Sequence, residues 1–152
     1  MSRVARSARV ASRQRVETID ASSADASKTI TKAETGELYF IDATNNVVIT
    51  LPPLQEGAYF KFIVSAAVGG GKSIIINSDT ANVCIDGSCL QHVDNDNGTA
   101  DLTISTSDGD DQDKITLGAG TLEGSYVELH CDGSKWLAIG MAITGTILFG
   151  DQ

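Results

Sequence analysis

The chain has 152 residues with a net charge of −9, 41% hydrophobic content, fifteen glycines and one Trp, three Tyr and four Phe. That leaves room for one domain plus a tail, in a texture suited to short strands joined by turns. The longest uncharged stretch, Trp136 to Gly150, is broken by Gly140 and Gly145 and is too short to span a bilayer. No apolar run follows the basic N-terminus, as a secretory signal would need.

All five arginines, Arg3, Arg6, Arg9, Arg13 and Arg15, lie in the first fifteen residues with no acid between them. From Glu17 onward six lysines meet all twenty acids, so residues 1–16 carry +5 and residues 17–152 carry −14, which sum to −9. Such a division implies an arm that seeks negative charge and a body that repels it. Guanidinium pairs carboxylate or phosphate in a planar fork, which suits a docking arm. On a helix Arg3, Arg6, Arg9 and Arg13 would fall within about 120° of one another, as in a mitochondrial transit peptide. The apolar side would be only Val4, Ala8 and Ala11, too weak for a membrane surface. A nucleic-acid arm is opposed by the acidic body.

Residues 1–27 hold no bulky aliphatic residue between Val16 and Lys28 except Ile19, so this segment is expected to be an extended arm, with the body at 28–152. Strands are expected near 28–33, 37–43, 46–51, 58–66, 73–78, 82–85, 88–92, 100–105, 114–118, 125–131, 135–142 and 145–149. Turn chemistry separates them at Asn45-Asn46, Pro52-Pro53, Gly69–Gly71, Asp86-Gly87, Asn97-Gly98, Asp108-Gly109 and Asp132-Gly133. Period-two alternation is clean in Val127, Leu129 and Cys131 against Glu128 and His130, and in Phe60, Phe62 and Val64 around Lys61. Twelve short strands at this spacing point to an all-β fold, a β-sandwich or jelly roll.

Several local patterns suggest chemistry. Gly69-Gly70-Gly71-Lys72-Ser73 resembles the end of a P-loop, but Ala66 stands where the motif needs glycine and the strand Ile74-Ile75-Ile76 follows where it needs a helix. A glycine hairpin loop is the better account. Cys84 and Cys89 flank Asp86-Gly87, so a two-residue hairpin there would set them face to face as half-buried thiols or a bridge. The loops Asp94–Gly98 and Asp108–Asp113 offer oxygen ligands of the kind calcium takes, yet neither has EF-hand spacing, and Asp, Asn and Gly also serve turns. Cys89, His92, His130 and Cys131 match no zinc-finger pattern, and His130 and Cys131 should point to opposite faces. Neither histidine belongs to a recognisable nucleophile–base–acid set. The reading is therefore a protein without catalytic, cofactor or metal residues.

Thr29–Phe40 (TITKAETGELYF), Val48–Phe62 (VITLPPLQEGAYFKF) and Tyr126–Gly140 (YVELHCDGSKWLAIG) resemble small β-rich virion proteins of tailed bacteriophages. There, a strand ending in Thr-Leu-Pro precedes a Gly-aromatic strand, and a later Asp-Gly-Ser/Thr-x-Trp hairpin closes the domain. Pro52-Pro53 can end a strand where no ladder amide is needed, and Trp136 can cover cross-strand neighbours. The resemblance implies a capsid decoration (cement) protein on the outer surface of the virion, assembled in the host cytoplasm, with the major capsid protein as partner and a homotrimeric state. Arg3, Arg6, Arg9, Arg13 and Arg15 would then be the capsid-binding arm. The alternative is a tail-fibre module that binds a host glycan through exposed loops. A fibre tip normally follows a long repetitive stalk, and the stretch before the first expected strand is too short for one.

Overall fold

Alternating apolar residues build two mixed β-sheets whose inner faces share a single core. The computed structural model describes residues 14–95 and 99–152. The strands are β1 Val16–Asp20, β2 Ala26–Thr29, β3 Leu38–Asp42, β4 Val47–Thr50, β5 Tyr59–Ala66, β6 Ile74–Asn77, β7 Ile85–Asn95, β8 Thr99–Thr106, β9 Lys114–Leu117, β10 Tyr126–Cys131, β11 Trp136–Ile143 and β12 Ile147–Gly150. A 3-10 turn at Lys32–Glu34 lies between β2 and β3.

The larger sheet has the order β1-β3-β5-β10-β11-β7-β8 and the smaller β12-β9-β6-β4-β2. Through β6 the chain steps from one sheet to the other at every connection. Taken from the same end, β1/β2, β3/β4, β5/β6, β10/β9 and β11/β12 occupy matching places in the two sheets. The molecule is thus a sandwich wound as a stack of rungs. Because each step returns to the same sheet only after visiting the other, β1–β3, β3–β5, β2–β4 and β4–β6 pair in parallel. After β6 the direction reverses, and β5–β10, β10–β11, β6–β9 and β9–β12 are antiparallel. Of the two expected architectures the sandwich is the one observed. A jelly roll is built from antiparallel Greek keys, and the parallel rungs depart from that.

Register stacks like on like. Inward side chains Ala26, Val47, Ile74, Leu117 and Ile147 form one ladder across the smaller sheet, and Ile49, Ile76, Ile115 and Phe149 form the next. In the larger sheet Phe60, Leu129 and Ala138 line up beneath Trp136, whose ring lies 5.8 Å from that of Phe60. Trp136 has no exposed surface, which supports the structural role expected of it and leaves no face for a sugar. The Asp132-Gly133 turn before it works as expected: Asp132 accepts from the amides of Ser134 (2.8 Å) and Lys135 (2.9 Å).

Three expectations are corrected. The arm does not extend to residue 27, because β1 and β2 pair with β3 and β4 and put Ile19 and Ala21 in the core. A polar segment can form a strand when an existing sheet edge supplies its hydrogen-bond partners. Asp86-Gly87 is not a hairpin turn but lies inside the continuous strand β7. Glycine is needed there because a Cβ at position 87 would come within 2.0 Å of the Ala138 carbonyl oxygen on β11. Gly69–Gly71 is not a hairpin loop either, since it carries the chain from β5 in one sheet to β6 in the other.

Candidate functional site

The rung formed by β1 and β2 closes one end of the stack, and each of its strands turns a charged residue inward. Glu17 stands in register with Tyr39, and Lys28 with Ile49. The two meet: Lys28 Nζ donates to both Glu17 carboxylate oxygens at 2.9 Å and to Glu34 Oε1 at 2.6 Å. The same ammonium sits 5.8 Å from the centre of the Tyr39 ring. Tyr39, fully buried, donates its hydroxyl to Glu37 (3.1 Å), and the other Glu37 oxygen takes the Arg15 guanidinium at 3.1 Å. Thr31 helps to aim Glu34 through a capping box at the 3-10 turn, its amide and hydroxyl both donating to Glu34 Oε2.

These contacts set the charges. Burial alone would raise the Glu34 carboxyl, but hydrogen bonds from Lys28 and Thr31 outweigh it and hold the group at about 2. Burial would lower Lys28, whereas its bonds to Glu34 and Glu17 keep it above its ordinary value. Tyr39 is raised, first by burial and then by the Glu34 charge and its bond to Glu37. Oxygens of Glu17, Glu34 and Glu37 lie within 4.8 Å of one another, spacing that suits a cation. Lys28 fills that place. The cluster is an internal ion network that closes the open end of the core, since inward charges discourage a further strand from adding there.

A second concentration lies on the outer face of the larger sheet. The Tyr59 and His130 rings stack with centres 6.0 Å apart and planes 14° apart. Beside them Lys61 bonds Glu128 at 2.5 Å and stands 4.9 Å over the Tyr126 ring. Gln14, Tyr59, Phe60, Lys61, Glu128 and His130 line a cleft of about 190 Å³, below the ~300 Å³ at which small-molecule pockets usually begin.

Of the five arginines, Arg15 is described: its backbone carbonyl receives the Leu38 amide (2.9 Å) and its side chain is tied to Glu37. Arg3, Arg6, Arg9 and Arg13 lie outside the described residues, as do Asp96, Asn97 and Gly98 of the expected 94–98 loop, whose first two residues end β7. In the Asp108–Asp113 loop the acids serve the turn. Asp108 accepts from the Asp110 amide, and Asp113 points inward to accept from Asn82 (2.9 Å) and Gln152 (2.7 Å) amides. Cys89 and Cys131 are buried on the inner face while His92 and His130 sit on the outer one, so these four do not converge. Cys84 gives its thiol to the Asp110 carbonyl (2.6 Å), and Cys89 lies along β7 with its thiol pushed by burial up to about 12. All three cysteines are free. Lys72 of the glycine loop pairs with Asp25 at 3.7 Å.

Sequence reasoning misses the Glu17–Lys28–Glu34 network because it puts Glu17 in the arm, apart from Lys28 and Glu34 in the body. The signal available is Thr31-x-x-Glu34, a capping box three residues after Lys28. No family model, no curated protein and no solved structure matches the chain.

Proposed function

We propose that this chain is a structural virion protein, a decoration protein that binds the outer surface of a tailed-phage head and stabilises it. The observation that carries this reading is the charge division, +5 in residues 1–16 against −14 in the rest. A body so acidic is repelled by an acidic coat unless a local segment reverses the sign, and Arg3, Arg6, Arg9, Arg13 and Arg15 form that segment. The resemblance of the β-body to phage virion proteins names the surface, the major capsid protein. Each exposed arginine pair is worth at most ~1 kcal/mol, so attachment gains from several arms on one homotrimer. Arg15, 3.1 Å from Glu37, is engaged by the body.

The test is attachment to purified capsids lacking the protein. Deleting residues 1–13 spares β1, and this deletion is expected to abolish binding while the body stays folded. Changing Arg3, Arg6, Arg9 and Arg13 to glutamine weakens binding strongly. Normal filling of capsid sites by either variant refutes the arm as anchor. A second reading, a glycan-binding fibre module, draws on the stacked Tyr59 and His130 rings beside Lys61 and Glu128. A saturable response to one host sugar that Tyr59→Ala removes would favour it.

A further inference from the structure

The two ends of the stack are finished differently. At the β1/β2 end an ion network occupies the core opening. At the other end the larger sheet runs out at β8, whose sequence Thr-Ala-Asp-Leu-Thr-Ile-Ser-Thr contains no lysine, no proline and one acid. β8 pairs with β7 on one side, and among the described residues no strand pairs with its other side. Natural edge strands are usually blunted by charge, proline or a bulge. This one has regular register from Ser88↔Thr106 to Asn95↔Thr99.

The outer face behind that edge is apolar. Strand register lines up Phe40, Ile63, Tyr126, Met141, Leu90 and Ile104 in one row across six strands. Exposure grows along the row toward the edge, from partly covered Phe40 to Ile104 at 66%, with Leu102 beside it at 64% and Ile139 at 52%. Leu90 and Leu137 complete the patch. These side chains leave on the order of 500 Å² of apolar surface open, near the upper end for a monomer's largest patch. With a polar rim this approaches the ~800 Å² that each partner contributes to a stable interface.

We propose that a second copy of this chain packs on this face, with Leu90, Leu102, Ile104 and Ile139 at the centre of the contact and the β8 edge at its margin. Charge selects this place for self-association. Bodies of −14 repel each other, and the contact must lie where few charges meet. The four central side chains carry none; at the border Glu128, beside Ile139, is paired with Lys61 at 2.5 Å and Asp86 with Lys135 at 2.6 Å. The proposal gives the homotrimer of the virion reading a contact face but does not rest on capsid binding, because its test needs no capsid.

Light scattering of the full chain at about 50 μM is expected to give at least twice the single-chain mass of 15.9 kDa. The double variant Leu102→Lys and Ile104→Lys is expected to give the single-chain mass with an unchanged β-type circular dichroism spectrum. Ile104→Thr, which keeps β-branching, should weaken association at least about tenfold. If the lysine variant does not fold, amide exchange of residues 101–106 in the wild type decides: protection that rises with protein concentration supports the contact. A monomeric wild type, protection independent of concentration, or an oligomer that survives both lysines overturns the proposal. So does an oligomer that is lost on deleting residues 1–13, which would make the arm the occupant.

Discussion

Removing residues 1–25 tests whether β1 belongs to the body. The cut leaves β2 but takes away Ile19, 5% exposed, and Ala21, fully buried. Re-exposing one isoleucine costs about 1.5–3 kcal/mol. The Asn45 amide and side chain lose the Ala21 carbonyl they both reach (3.0 and 2.9 Å), at a net cost of about 1 kcal/mol each. Lys28 loses Glu17, and the β3 edge opens. The shortened chain no longer has to order these residues, and that saving is largely balanced by the β1–β3 ladder it gives up. A net loss of about 3 kcal/mol is expected, against a total stability of roughly 5–15. With a urea slope near 1.5 kcal/mol/M, the unfolding midpoint should fall by about 2 M. The comparison is a chain lacking residues 1–13, whose midpoint should match the full chain. Equal midpoints for all three proteins would refute the placement of β1 in the cooperative unit.

The core and the ion network give two further expectations. Trp136→Ala should cost about 3–5 kcal/mol, because the buried indole packs on Phe60. Trp136→Phe should cost less, since the ring stays and the indole Nε1, which is buried with no hydrogen-bond partner among the described residues, goes; urea midpoints of the two variants decide. For Glu34 the folded pKa is depressed from 4.5 to about 2, so its contribution is fully present above 4.5 and is lost as pH falls toward 2. Lys28 is raised above 10.5, so its contribution is present below 10.5 and is lost as pH rises through the raised value. Wild type should therefore exceed Glu34→Gln in stability at pH 7, with the gap closing by pH 2.5; an unchanged gap would remove Glu34 from the network.

Alternation made β5, β10 and β11 legible, because each is half-buried and its apolar residues fall on one face. β1 was not legible and β2 only at its end, where the strand expected near 28–33 overlaps it, since their apolar content is little more than Ile19 and Ala26 and their stability comes from backbone pairing with β3 and β4. Asp86-Gly87 misled for a related reason. The dipeptide has the chemistry of a turn, but Gly87 is there to let the β11 backbone pass. The parallel pairing could not be read from strand-sized patterns, because turn chemistry says where a strand stops and not which sheet the next one joins. Among site residues, Trp136 was placed correctly as core, and the division of Cys131 from His130 followed from the period of two. The ion network was hidden by its own ingredients: Glu17 and Lys28 look like solvated charges until β1 and β2 are in their sheets.

The rung arrangement also bears on how the molecule can change in length. Parallel partners lie 22 residues apart at Val16↔Leu38, 21 at Ala26↔Val47, 23 at Leu38↔Lys61 and 27 at Val47↔Ile74, so the parallel coils recur at a similar though not fixed spacing. Each coil touches chiefly the ones before and after it, which makes the N-terminal part quasi-one-dimensional. Duplicating the segment that spans β3 and β4 would insert a whole coil, carry the apolar ladders through it, and leave both finished ends untouched. Between β5 and β10, by contrast, the strand direction inverts, and a parallel coil inserted there would meet the wrong polarity on one side. Growth by duplication is therefore open on the parallel side of the inversion and closed at the inversion itself.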